Sequence, residues 1–224
     1  MARSSVAPAS PSSETSRARI KETALRLFSE RGIDGVSVRD IVSAAKMKNG
    51  ASLHYYFGSK DALIQELIID CAIRSDKARL RRLEILEAQG GPARLGDIVR
   101  LLIESEVSLE DAGSAGGQMR FIMALQINHR DLVLTALDNS QHAAGYMRCV
   151  DHIRGFLAHM PAETARDRVV LMYIYIMATM AARESAREAP GGESGFWKSP
   201  GAIETIIATT CGLLEAPDTA ATTG

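Results

Sequence analysis

Residues 169–182 read VVLMYIYIMATMAA, fourteen nearly unbroken apolar positions, and this run constrains the fold more tightly than any other stretch. Placed on one helix it is apolar all round, so it must be buried on two sides. It falls short of the roughly 18–20 apolar residues that span a bilayer. One side can face its own domain and the other a partner chain. A last helix, Ala202 to Glu215, shows Ile203, Ile206, Ile207, Thr210, Leu213 and Leu214 on one face, more than a lone C-terminal helix needs. Two such helices from each of two chains would form a four-helix interface with closed two-fold symmetry. Met172, Ile176 and Met180, with Ile203, Ile206, Ile207, Leu213 and Leu214, are its expected residues. The alternative is that both helices are internal core.

Helical periodicity extends through most of the chain. Ile20, Ala24, Leu27 and Phe28 recur at i, i+4, i+7 and i+8, with Ser16 able to cap the start and Gly32 to end the helix. Ser37 is a plausible cap for a short second helix carrying Val38, Ile41, Val42 and Ala45, and residues 46–50 read as a turn. A third helix, Ala51 to Phe57, stops at Gly58. Ser59 caps a fourth that runs to about Gln89, with Asp61 suited to its dipole. Gly90, Gly91 and Pro92 interrupt the chain. Further helices are expected over about 95–109, 118–127, 131–138, 140–159 and from Pro161 to about Ala189. Strand-like alternation is absent, so the fold class is all-α. The division expected is a tail (1–15), a three-helix unit (16–60), a helical body (61–215) and a second tail (216–224).

Composition supports this. The chain has 46% hydrophobic, 24% charged and 5% aromatic residues, which implies a mostly aliphatic core softened by nine Met. The N-terminus has no apolar stretch that could act as a secretory signal. Three widely spaced cysteines argue against a disulfide framework and for a reducing, cytoplasmic setting, with no membrane association.

The charge is unevenly spread. Residues 1–60 hold ten Lys and Arg against five Asp and Glu, the remainder sixteen against twenty-two. A basic front end on a mildly acidic body suits contact with a polyanion. Three helices, the last two joined by a tight turn, are what a helix-turn-helix needs: the second braces on the DNA backbone and the third enters the major groove. Ile33, Val36, Val38, Ile41, Met47, Leu53 and Phe57 would supply its small core. Lys48, Asn49, Ser52, His54, Tyr55 and Tyr56 would face outward, and no Asp or Glu occurs between Asp40 and Asp61.

The stretch ALRLFSERGIDGVSVRDIVSAA followed by ASLHYYFGSKDAL, within about residues 18–67, resembles the DNA-binding domain of the tetracycline-repressor (TetR) family. The resemblance implies an N-terminal helix-turn-helix domain and a helical C-terminal domain for ligand binding and dimerisation. It implies that Asn49, Gly50 and Ala51 open the recognition helix nearest the bases, and that His54 and Tyr56 face phosphates, with Tyr55 between backbone and base edges. Lys60 resembles the family's phosphate-contacting lysine, and Ser37 and Arg39 stand where the family touches backbone. Either tyrosine could instead be half-buried packing, and His54 a solvated surface residue. Many members have Gly at the turn position held here by Lys46, where a left-handed backbone would carry a cost.

By the same resemblance the chain is a homodimeric repressor, not an enzyme, that occupies a palindromic double-stranded DNA operator until a small molecule binds in the body. Phe121, Met123, Leu125, Met147, His152, Phe156, Tyr173 and Met177 are the candidate pocket residues, suiting an apolar or aromatic effector with one or two polar handles. No cofactor is implied. No motif of nucleotide binding, hydrolysis or zinc proteolysis occurs. His142, Cys149 and His152 at i, i+7 and i+10 on one helix raise metal sensing as an alternative, although one helix cannot close a tetrahedral site. A protein-partner role on the same fold is the other.

Overall fold

The computed structural model describes residues 11–47, 51–111, 116–137, 142–192 and 195–217. Those residues form ten α-helices and no strand: α1 (Pro11–Arg31), α2 (Val38–Ala44), α3 (Ala51–Phe57), α4 (Lys60–Ala88), α5 (Leu95–Asp111), α6 (Gln118–Asn128), α7 (Arg130–Leu137), α8 (Ala144–Phe156), α9 (Ala162–Glu188) and α10 (Ala202–Glu215). The expected all-α fold is present. A short 3-10 turn at Gly195–Lys198, absent from the sequence reading, places the Phe196 and Trp197 rings edge to face with centroids 5.0 Å apart.

Two boundaries move. Helix α1 begins at Pro11 rather than Ser16, so the expected tail of residues 1–15 is too long. Proline at a first helical position has no amide hydrogen to leave unpaired, and Glu14 favours the positive helix start. Further along, α1 is tied to α4, where Lys21 pairs with Asp70 at 2.7 Å and Glu66 at 3.1 Å, and Arg17 also reaches Glu66. Helix α8 begins at Ala144 rather than near 140, and residues 138–141 lie outside the described ones.

Helices α1–α3 close on Ile20, Ala24, Leu27, Phe28, Ile33, Val36, Ile41, Leu53 and Phe57, all buried. Val38 and Met47 sit half-buried at the edge of that core. The start of α2 is held by a reciprocal capping pair: the Asp40 amide donates to Ser37 Oγ at 3.2 Å, and the Ser37 amide donates to Asp40 Oδ2 at 2.8 Å. Its end is a Schellman closure, in which the Lys46 amide donates to Ser43 O and the Met47 amide to Val42 O, both at 3.0 Å. That closure needs a left-handed residue, and Lys46 has φ of 54°, the only positive φ outside glycine among the described residues. The tight turn therefore forms without the glycine that suits it.

Helix α4 passes from the head, where Leu63, Ile64 and Leu67 are buried, into the body. There α5, α7 and α8 pack on it, while α6 and α10 pack on α9. By length and composition α9 could cross a membrane. In the fold, its Val169, Met172, Ile176, Met177 and Met180 are buried in the bundle, and Arg183 forms an ion pair with Glu110 of α5.

Two short helices have no side-chain cap of their own and receive one from a long helix. Buried Glu184 of α9 accepts from the Met119 and Arg120 amides at the start of α6, each at 3.0 Å. Buried Asp76 of α4 accepts from the Gly145 and Tyr146 amides at the start of α8, each at 3.0 Å. A carboxylate at a helix start satisfies orphan amides and meets the dipole with the favourable sign.

Two outcomes follow from these features. Lys46→Gly should stabilise the chain by about 0.5–1 kcal/mol in urea unfolding, because glycine removes the left-handed strain at a small entropic cost. Burial, helped by Glu110, pushes the Glu184 carboxyl up from 4.5 to about 7, against the two amides and Arg120 that favour its charge. The folded chain thus holds this proton more tightly than the unfolded one. The contribution of Glu184 is most favourable below pH 4.5 and is lost as pH rises to about 7. Relative to Glu184→Gln, the wild type should lose up to about 1.4 kcal/mol per pH unit across that window, measured by denaturant unfolding at several pH values.

Candidate nucleic-acid interface and the cavity behind it

The outward face of α2 and α3 carries polar and basic groups. Arg39 and Lys46 are exposed, and Ser37 is exposed but engaged, its hydroxyl lying 2.5 Å from Asp40 Oδ2. That hydroxyl and the Ser37 amide hold the Asp40 carboxyl below the usual carboxylate range, so the cap is a charged one. The expected Lys48, Asn49 and Gly50 lie outside the described residues. Ala51 and Ser52 form the first turn of α3.

The structure separates the two tyrosines. Tyr55 is 80% exposed, whereas Tyr56 packs partly against the core, with the two rings edge to face at 5.0 Å. His54 Nδ1 lies 2.6 Å from the Gly58 carbonyl oxygen, which can only accept, so Nδ1 carries the hydrogen. In neutral His54 the other nitrogen, Nε2, is then an acceptor. A phosphate contact through Nε2 requires the imidazolium.

Lys60 is partly engaged within the fold. Its Nζ donates to the Ile33 carbonyl at 2.6 Å and lies 5.6 Å from the centre of the Phe28 ring. The ammonium ties the first turn of α4 to the connection between α1 and α2, and two of its hydrogens remain for an outside acceptor.

Behind the head, α4, α6, α7, α8 and α9 enclose a cavity of about 470 Å³. Met123, Tyr173 and Met177 line it, as expected. The other five candidates do not. Phe121 and Leu125 point to the opposite side of α6 and are fully buried. Met147 lies on the outer face of α8, 46% exposed, and Phe156 packs against the core beyond the cavity. His152 turns to α4, its Nε2 3.0 Å from Glu87 Oε1. Sequence reading missed the polar lining, chiefly Ser75, Arg79, Gln118, Gln126, His142 and Tyr146. The available signal was on α4, where Ile68, Ala72, Ser75 and Arg79 follow one stripe that turns polar midway. Burial pushes the Tyr146 phenol up to about 12 and raises that of Tyr173, so both rings present neutral hydroxyls.

The residues expected at a two-chain interface face inward. Met172, Ile176, Met180, Ile206, Ile207 and Leu214 are buried within the single chain, and Ile203 and Leu213 are half-buried. Both helices use their most apolar stripes on their own core. The face they leave open carries Leu171, Tyr175, Ala178 and Ala182 of α9 beside Thr205, Ala208, Thr209 and Gly212 of α10. Tyr175 and Thr209 join the two helices by a hydroxyl hydrogen bond of 2.7 Å.

His142, Cys149 and His152 do not share a helix face: α8 starts beyond His142, which lines the cavity, while His152 meets Glu87. Burial pushes the Cys149 thiol up to about 11, opposing the ionisation that metal ligation requires. No group of three metal-binding side chains occurs among the described residues.

Head and cavity meet through α6. On one side Phe121 stacks on Phe28 of α1, centroids 5.9 Å apart, and on the other Gln118, Ile122 and Gln126 line the cavity. At the start of α6, Gly117 has φ of 79° and so little space that a Cβ there would lie 2.2 Å from Ser29 Oγ. At its end His129 Nε2 lies 3.1 Å from Asp34 Oδ2.

Residues 20–67 match the family described as bacterial regulatory proteins, tetR family. The fold is similar to that of a tetR family transcription regulator from Shewanella sp. PV-4, with 17% identity, 87% of this chain and 95% of that one covered, and a TM-score of 0.58. It is similar also to a TetR-family transcriptional regulator from Rhodococcus sp., with 16% identity, 90% and 100% covered, and a TM-score of 0.51. Among curated protein sequences nothing matches the chain. The helix-turn-helix geometry and the match over its residues lead to one conclusion: residues 20–67 form a helix-turn-helix domain of the bacterial regulatory tetR family, and the chain as a whole has the all-α fold of the regulators it resembles.

Proposed function

We propose that the chain is a homodimeric repressor that holds a palindromic operator and releases it when a small, mostly apolar molecule occupies the body cavity. The observation that carries this reading is the double contact of α6, with Phe121 against the head and Ile122 and Met123 against the cavity. A ligand that fits only one position of α6 favours the head orientation that goes with it, and that differential affinity is all that release requires. The head reads DNA through the turn and α3, with Lys48, Asn49, Gly50, Ala51 and Ser52 nearest the bases. Tyr55, Arg39 and Ser37 contact the backbone with His54, Tyr56 and Lys60. The partner chain covers the open face of α9 and α10, whose small residues permit close helix approach.

The reading is tested by selecting bound fragments from genomic DNA and measuring their affinity for the purified chain. A palindrome bound by two chains supports it, and selection of fragments without symmetry would sink it. Lys60→Ala should weaken operator binding at every sequence and lower the slope of log affinity against log salt by about one. It should also cost about 1 kcal/mol of stability, since the hydrogen bond to Ile33 is lost. An unchanged salt slope would leave Lys60 as a brace only. Ala208→Glu, placing a charge in the open α9–α10 face, should give a monomer by sedimentation and abolish tight operator binding while helix content is retained.

A further inference from the structure

The cavity that the proposed function assigns to a ligand has a definite chemical polarity, which goes beyond apolar fit. Its described lining residues include Arg79, Arg130 and His142 and no Asp or Glu. Among the described residues no carboxylate pairs with Arg130. Arg79 is held rigidly: its Nη2 donates to buried Glu106 at 2.5 Å, its guanidinium lies 5.7 Å from the centre of the Tyr146 ring, and Ser75 donates to the same Glu106 at 3.0 Å. Its Nε remains buried with no hydrogen-bond partner. Buried donors of a charged group are rarely left unsatisfied, and an arginine presents two parallel donors to a carboxylate. Tyr146 and Tyr173, their ring centroids 5.7 Å apart, line the same cavity and present neutral hydroxyls. The opening is apolar instead, with Ile127 67% exposed, Leu134 60%, Val170 50% and Ile174 46%.

We propose that the cavity takes an amphiphilic monocarboxylic acid, its carboxylate at Arg79 Nε and the tyrosine hydroxyls, its apolar body running to the opening between α6, α7 and α9. This rests on the reading of the cavity as a ligand site. A cationic head fits poorly, because Arg79 Nε offers a donor and no acceptor, and the acid beside it, Glu106, is already engaged by Arg79 and Ser75. Glu106 already balances the charge of Arg79, so one added carboxylate fits better than a doubly charged phosphate. A water-sized recess of about 10 Å³ also adjoins Arg79 and Glu106, and the competing account is that a water there satisfies Nε.

The test compares decanoate, decanol and decylammonium, which share one apolar body, by isothermal titration calorimetry on the full chain. Decanoate should bind at least about tenfold tighter than decanol, and decylammonium weakest. The preference should vanish in the double variant Arg79→Leu with Glu106→Leu, which removes both charges and strands neither. Decanol should bind that variant as it binds the wild type. The comparison on the wild type stands by itself if the variant does not fold. Equal affinity for acid and alcohol, tighter binding of the amine, or no binding of any of the three overturns the proposal. Operator release is read separately. Decanoate that binds without loosening the operator refutes the repressor mechanism and leaves the acid site standing. Decanol that releases the operator while decanoate does not bind refutes only the acid site.

Discussion

Phe28 and Phe121 stack across the boundary between the three N-terminal helices and the bundle, and the placement of everything that touches DNA depends on that contact. Both rings are essentially fully buried. Each such ring contributes about 1.5–3 kcal/mol by burial, and their mutual geometry adds about 0.5–1.5 kcal/mol. Lys60 lies over the outer part of the same cluster and closes the head on α4. The head therefore does not swing freely on a linker. It is packed on α6 by an aromatic pair, a glycine with no room for a side chain, and the Asp34–His129 contact.

A second constraint lies deeper. Ser75, Glu106, Gln118 and Arg74 form a continuous chain of hydrogen bonds, with Gln118 donating to Ser75 at 3.0 Å and accepting from Arg74 at 2.9 Å. Buried polar groups satisfied in this way fix one arrangement of α4, α5 and α6, because any slip would leave a charged or amide group without a partner. Two of them, Ser75 and Gln118, line the cavity. The network thus reaches the cavity, and Arg79, joined to it through Glu106, is a lining residue whose hydrogen bonding is incomplete.

The helices were legible because their apolar spacing, caps and glycines are local signals. Ser37 and Ser59 act as the caps expected of them. The small head core was likewise read from spacing alone. The pocket was not, because its residues come from five helices and aromatic or Met content does not say which way a side chain points. Phe121 and Met123 are two apart on α6 and face opposite structures. The most apolar stripes of α9 and α10 pack inside their own chain for a related reason. The most apolar face of a helix is the one its own chain buries first, and the open face is mostly alanine, threonine and glycine around Leu171 and Tyr175, which carry no strong signal. Lys46 is the reverse case. The family pattern marked it as a position where glycine belongs, and the backbone adopts the left-handed turn despite the lysine.

The capping of α6 and α8 by Glu184 and Asp76 has a consequence for how the chain is assembled. Each short helix depends for its first turn on a carboxylate sixty or more residues away in sequence. Neither can gain that cap by local closure, since bringing such distant segments together has an entropic cost that must be met by other contacts. The long α4 and α9 must therefore find their places before α6 and α8 are secured. Removing either carboxylate should be felt first in the cavity wall and in the support beneath the head, which those two short helices form.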